Sequence, residues 1–163
     1  MDYLLERAGD GIYALAIWDS SWNSYNNCYI LLGDKGVALI DCGKKEHSPY
    51  LIQALHELGR TPEDVSLLLA THGHEDHIQN EDLFPHAKKY IHPLDKELSA
   101  RPDSFQALND RGDFEGFQYE LAGFHSPGSV ILFHKESRTL FSGDFLCFFG
   151  DPLPKGRSRF KGQ

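Results

Sequence analysis

The sequence has no apolar run long enough to cross a bilayer. Its longest, such as Ser66 to Ala70, fall far short of the roughly 20 residues a helical span needs. A basic start followed by an apolar stretch is also missing, so no secretory leader is expected. Cysteine is scarce: Cys28, Cys42 and Cys147 form no C-x-x-C pair and no paired framework. They read as reduced, mostly buried thiols of a cytoplasmic protein. A basic surplus is absent, because 16 Lys and Arg against 24 Asp and Glu leave a net charge of −8. That balance argues against nucleic-acid binding through a broad basic face. Repeats, low-complexity tracts and internal linkers are missing too. What remains, 163 residues with 40% hydrophobic and 25% charged side chains, describes one soluble globular domain over residues 1–163. A chain of that length buries a core without disulfide or metal staples.

The hydrophobic pattern predicts an α/β fold. Ile12 to Trp18 reads as a strand, and the Ser- and Asn-rich stretch from Asp19 to Asn27 as a loop. Cys28 to Leu32 and Val37 to Asp41 flank Gly33-Asp34-Lys35-Gly36 as a hairpin. Ser48-Pro49 starts a helix with Leu51, Ile52, Leu55 and Leu58 on one face and Gly59 just past its end. Ser66 to Thr71 is a continuous apolar run, as in a strand buried on both faces and paired in parallel through a right-handed crossover. Further on, a short helix is expected at Ile78 to Leu83, a strand at Lys88 to Ile91, and irregular or helical structure to Asp110. Strands follow at Phe117 to Leu121, Val130 to His134 and Arg138 to Ser142. Pro152 to Gln163, with two prolines and four basic residues, reads as an exposed tail.

Histidine is in excess: there are nine, unevenly spread. Thr71-His72-Gly73-His74-Glu75-Asp76-His77 packs three histidines and an aspartate into six positions directly after a buried strand. Sites of open α/β sheets lie at the carboxyl ends of strands. On an extended turn, alternate residues aim His72 and His74 at one point, and Asp76 and His77 at a neighbouring one. Neutral imidazole suits zinc, and a carboxylate completes a harder site beside it. A cation explains why groups that otherwise repel are clustered. Asp41, ending its strand on the same side, is a candidate to orient a ligand imidazole. His47, His56, His86, His92 and His134 read as surface or supporting residues. Trp22 is a candidate to cover a substrate, whereas Trp18 reads as packing; Phe141, Phe145, Phe148 and Phe149 read as core or interface.

The H-x-H-x-D-H segment resembles the signature of the metallo-β-lactamase superfamily, and three more segments resemble it in the same order. Asn27-Cys28-Tyr29 with Val37 to Gly43 looks like the family's opening hairpin and L-I-D-x-G strand end. His125-Ser126-Pro127-Gly128-Ser129 looks like its H-[ST]-x-G-[SH] loop. Leu140-Phe141-Ser142-Gly143-Asp144 looks like its L-F-x-G-D strand end. The resemblance implies an αββα sandwich. It also implies a first metal held by His72, His74 and His125, and a second held by Asp76 and His77, with Asp144 bridging. The implied activity is zinc-dependent hydrolysis of an ester, thioester, lactam, lactone or phosphodiester. The metal lowers the pKa of bound water toward neutrality, and Asp76 acts as the catalytic group that orients it and moves a proton. The implied partner is a small-molecule substrate.

Several positions depart from the family pattern. The family's second metal takes one more histidine from a strand downstream, but no histidine follows His134 here. The closing strands and helix that carry it also look absent. A shortened chain, a partner chain completing the site, and a one-metal site are the three explanations, the first preferred. If the absent elements cover Phe148 and Phe149, an apolar patch is exposed and self-association into a homo-oligomer is expected. Ala122-Gly123-Phe124 stands where T-P-G is common. His74, in place of glutamate, fits the flavodiiron branch poorly, and Asp144, in place of cysteine, speaks against the best-known zinc β-lactamase subclass. Persulfide dioxygenases of the superfamily bind a single Fe2+ through positions matching His72, His125 and Asp144, which makes an iron oxidoreductase the alternative. A metal-binding module without turnover is the reading outside catalysis.

Overall fold

Alternating burial along the first strands shows how the sequence builds a sheet with two packed faces. In the computed structural model, which describes Tyr3–Leu146, strands β1 (Tyr3–Gly9), β2 (Ile12–Asp19), β3 (Ser24–Gly33) and β4 (Gly36–Ile40) run antiparallel. Helix α1 (Ser48–Glu57) then crosses over to β5 (Val65–Leu69), which pairs with β4 in parallel as predicted. The one-turn helix α2 (Glu75–Ile78), β6 (Lys88–Ile91), the one-turn helix α3 (Pro93–Lys96) and β7 (Gln106–Ala107) complete a seven-stranded sheet in sequential order. Strands β8 (Arg111–Phe114), β9 (Phe117–Leu121), β10 (Val130–His134) and β11 (Thr139–Phe141) form a second, antiparallel sheet.

Two apolar layers hold these parts together. Leu15, Ile17, Ile30, Leu39 and Leu68 on one face of the first sheet meet Leu51, Ala54 and Leu55 of α1. On the opposite face, Ile12, Leu31, Ile40, Leu67 and Leu69 meet Phe117, Tyr119, Val130, Leu132 and Phe141 of the second sheet. Each fully buried Leu, Ile or Phe contributes about 1.5–3 kcal/mol relative to exposure. The arrangement is the expected α/β sandwich, with two sheets face to face and a helix outside. Among the described residues, α1 is the longest helix, and no helical layer is seen against the second sheet. No helix among them is long and apolar enough to cross a membrane.

Several sequence expectations are corrected. The Ser- and Asn-rich segment is a loop only to Asn23, because Ser24 to Asn27 pair with β2 as the start of a long strand. The edge strands β1 and β8 are mixed in polarity, and pattern alone does not mark them. The helix expected at Ile78 to Leu83 is instead α2 followed by a 3-10 turn at Glu81–Leu83. Of the aromatic residues, Phe141 is buried, whereas Phe145 is exposed. Cys147, Phe148, Phe149 and the tail from Pro152 to Gln163 lie outside the described residues.

Lys44, in the loop after β4, forms a largely buried ion pair with Asp19 at the end of β2, and its Nζ also lies 4.5 Å from the ring centre of Trp22. Burial pushes the Asp19 carboxyl up. Hydrogen bonds from Lys44 and Ser21 outweigh that and hold it at about 2. Because the folded pKa lies below the unfolded one, the pair's contribution is complete above the ordinary carboxylate value. It is lost as pH falls through about 2. Asp19→Asn is therefore expected to flatten the fall of Tm between about pH 4 and pH 2. An equally steep acid limb in the variant would show that the pair contributes nothing there.

Candidate metal centre

The site grows from the carboxyl ends of β4 and β5. Asp41 follows β4 in a left-handed conformation (φ +60°), and its N–H donates to the carbonyl of Leu69 at 3.0 Å. Its buried carboxylate accepts from the N–H and the Oγ1 of Thr71, both at 2.7 Å. The same Oδ2 lies 2.8 Å from Nδ1 of His77. The strand ends and the turn of α2 are thereby fixed to one another. The second imidazole nitrogen of His77 is left facing the site, 3.4 Å from Oδ1 of Asp144 and 3.5 Å from Oδ2 of Asp76.

His72 is the centre of the group. Its ring centre lies 4.7 Å from that of His74, 4.0 Å from His77 and 4.8 Å from His125. Its Nδ1 is 3.1 Å from Thr71 Oγ1, whereas its Nε2 is buried without a hydrogen-bond partner. Leaving such an atom unpaired costs free energy unless something else accepts it. One nitrogen each from His72, His74 and His125 lies within 4.8 Å of the others, and so do donor atoms of His72, His77 and Asp144. His74 Nδ1 and His125 Nε2 are 2.9 Å apart, and Asp144 Oδ2 is 3.5 Å from His125 Nε2. The donor set of imidazoles and carboxylates, with an orphaned nitrogen at its core, fits a divalent metal.

Electrostatics sets His72 and His77 apart. Burial and the neighbouring His77 charge lower His72 to about 4, so its imidazole is neutral, the form that binds metal. Burial opposes charge on His77 as well, but Asp41 and Asp144 overcome it and raise its pKa to about 10. Asp144, pushed up by burial, is held at about 2 by the imidazoles of His77, His72 and His125.

All six predicted residues lie close together, with two adjustments to their grouping. His72, His74 and His125 meet as expected, and Asp144 reaches both sides of the group. His72 also joins the His77 and Asp144 set. Asp76 sits at its edge, where its Oδ2 accepts from Nδ2 of Asn26 on β3 at 3.1 Å. Sequence reasoning missed Asn26 because its segment reads as loop, and no local signal pairs it with Asp76, 50 positions along the chain. His47 and His92, taken for surface or supporting residues, are both buried. His47 forms a separate cluster with Asp19 and Glu46, where the ammonium of Lys44 already neutralises Asp19.

Comparison with known proteins agrees with the fold and the motifs. A profile of the metallo-beta-lactamase superfamily matches residues 22–102. A probable metallo-hydrolase of Methanocaldococcus jannaschii is 32% identical over 98 residues, covering 60% of this chain and 46% of that protein. The uncharacterized protein YobT of Bacillus subtilis is 30% identical over 160 residues, covering 82% of this chain and 67% of its own length. The first of these relatives is therefore matched over less than half its length. Among solved structures, a flavo di-iron protein mutant from Thermotoga maritima superposes with a TM-score of 0.72 at 19% identity, covering 87% of this chain and 42% of that one. That last likeness is one of fold alone. The motifs, the profile and the metallo-hydrolase relative agree that the chain belongs to the metallo-β-lactamase superfamily.

Proposed function

We propose that this chain is a zinc-dependent hydrolase acting on a small molecule with an ester, thioester, lactam, lactone or phosphodiester bond. The observation that carries the reading is the buried, unpartnered Nε2 of His72, lying in two overlapping donor groups. His72, His74 and His125 would hold the first metal. His77, Asp144 and Asp76 would serve the second, with the Asp144 carboxylate reaching both. When bound, such an ion lowers the pKa of water toward neutrality and stabilises negative charge on the attacked group.

The chain's own residues supply orientation and proton movement. Asp41 fixes the ring of His77 through Nδ1 and leaves Nε2 for the site. Asn26 anchors Asp76, whose carboxylate would orient the nucleophile and carry a proton to the leaving group. The acidic net charge favours a small organic substrate over a polyanion. We place the protein in a reducing cytoplasmic compartment, which the free, buried thiols of Cys28 and Cys42 support.

One geometric fact favours a second reading. Asp144 lies 3.5 Å from His125 and joins His72 in a donor group, so these three also form a two-histidine, one-carboxylate set suited to Fe2+. Elemental analysis with oxygen-uptake measurements separates the readings. Zinc with hydrolysis and no oxygen uptake supports the first, whereas one iron per chain with uptake supports the second. Metal uptake with a silent substrate panel would leave a binding module.

His74→Ala is expected to lower both metal content and thermal stability. Metal present at a thousandfold excess over its Kd stabilises the fold by about 4 kcal/mol. Unchanged stoichiometry by elemental analysis would sink the ligand assignment. Asp144→Asn should reduce zinc at the second position more than at the first; equal zinc content before and after would contradict a bridging role. Asp76→Asn should lower turnover by about 10²–10⁴-fold while the first metal is retained. Full activity in that variant would remove Asp76 from the chemistry.

A further inference from the structure

Asp95, on the one-turn helix α3, is fully buried, and three donors converge on its carboxylate. The N–H of Gly73 donates to Oδ2 at 2.9 Å, and the hydroxyl of Ser126 donates to the same oxygen at 2.5 Å. The N–H of Gly128 donates to Oδ1 at 2.7 Å. These donors come from the two loops that carry the histidines. Gly73 lies between His72 and His74, Ser126 follows His125, and Gly128 lies two residues further on.

Both glycines are required for this approach. A Cβ on Gly73 would stand 2.5 Å from the carbonyl oxygen of Asp95 and 2.9 Å from its Cβ. One on Gly128 would stand 2.6 Å from its carboxyl carbon. Ser126 is itself oriented by Ser129, whose Oγ is 2.7 Å from its own and accepts from its N–H at 3.0 Å. The Asp95 carboxylate thus bonds the backbone of one histidine loop and both the backbone and a side chain of the other, and its three donors include no side chain of His72, His74 or His125.

We propose that Asp95 is the positioning residue that sets the distance between the two loops, and through it the geometry in which His72, His74 and His125 bind a metal. The inference rests on the ligand reading above. A carboxylate serves here because it accepts from every side. In Asp95→Asn the amide has one accepting end, so either the N–H of Gly73 or that of Gly128 faces an NH2 group.

The test uses the full chain and two probes, zinc titrated against a chromophoric chelator and the visible spectrum of bound cobalt. Asp95→Asn is expected to bind zinc about 10–100-fold more weakly and to alter the cobalt bands, since supporting partners of ligand residues typically carry that much affinity. Leu51→Ala, on the buried face of α1, is the control: its Tm should fall while zinc affinity and cobalt spectrum stay as in the wild type. If Asp95→Asn does not fold, Ser126→Ala removes one of the three donors and should weaken zinc binding by at least about threefold. A folded Asp95→Asn with wild-type affinity and spectrum overturns the positioning role and leaves the ligand reading standing. Unchanged affinity in Ser126→Ala overturns it equally. A wild-type chain that takes up neither zinc nor cobalt removes both.

Discussion

The carboxylate of Asp41 joins three segments on which the site depends: the end of β4, the end of β5 and the turn of α2. It accepts from the backbone and side chain of Thr71 and contacts Nδ1 of His77. The N–H of the next residue, Cys42, donates to the carbonyl of His77 at 2.7 Å, which reinforces the same junction. A buried carboxylate satisfied in this way tolerates its desolvation, and the left-handed backbone at Asp41 is the local cost. Without that junction the parallel strands could still pair, but nothing would direct the His77 ring toward Asp144.

Around this junction the molecule separates two tasks. Stability comes from the apolar layers on the two faces of the seven-stranded sheet, where burial requires no particular chemistry. The carboxyl-end rim is instead crowded with buried polar groups, His72, Asp76 and His77 among them. Such crowding is unfavourable unless the groups satisfy one another or a cation. Asn26 and Asp41 settle part of this need through hydrogen bonds. The remaining donors face inward at spacings that a metal ion would complete.

Much of this was legible in the chain. The apolar run at Leu67 to Leu69, the helix beginning at Ser48-Pro49, and the hairpin about Asp34 and Lys35 appear where patterning and turn chemistry place them. The histidine cluster marked the candidate site because its residues follow a buried strand within a few positions of one another. What patterning missed is what depends on distant neighbours. Ser24 to Asn27 become strand only because β2 supplies their partners. Similarly, Glu81–Leu83 forms a 3-10 turn where local pattern suggested a longer helix.

Sequence alone determined the chemistry on offer: which side chains could bind a metal, and that His72, His74, Asp76 and His77 share one turn. Spacing within a turn is a local property, so local residues decide it. Tertiary structure decided the rest. It brought His125 and Asp144 to that turn from loops at the ends of strands β9 to β11, placed His72 in both donor groups, and drew Asp76 toward Asn26. It also set Asp95 between the two histidine loops, where only glycine leaves room. These meetings depend on strand register and sheet packing across sequence separations of 50 or more in the His74–His125 and Asn26–Asp76 contacts. Residue spacing along the chain does not encode them.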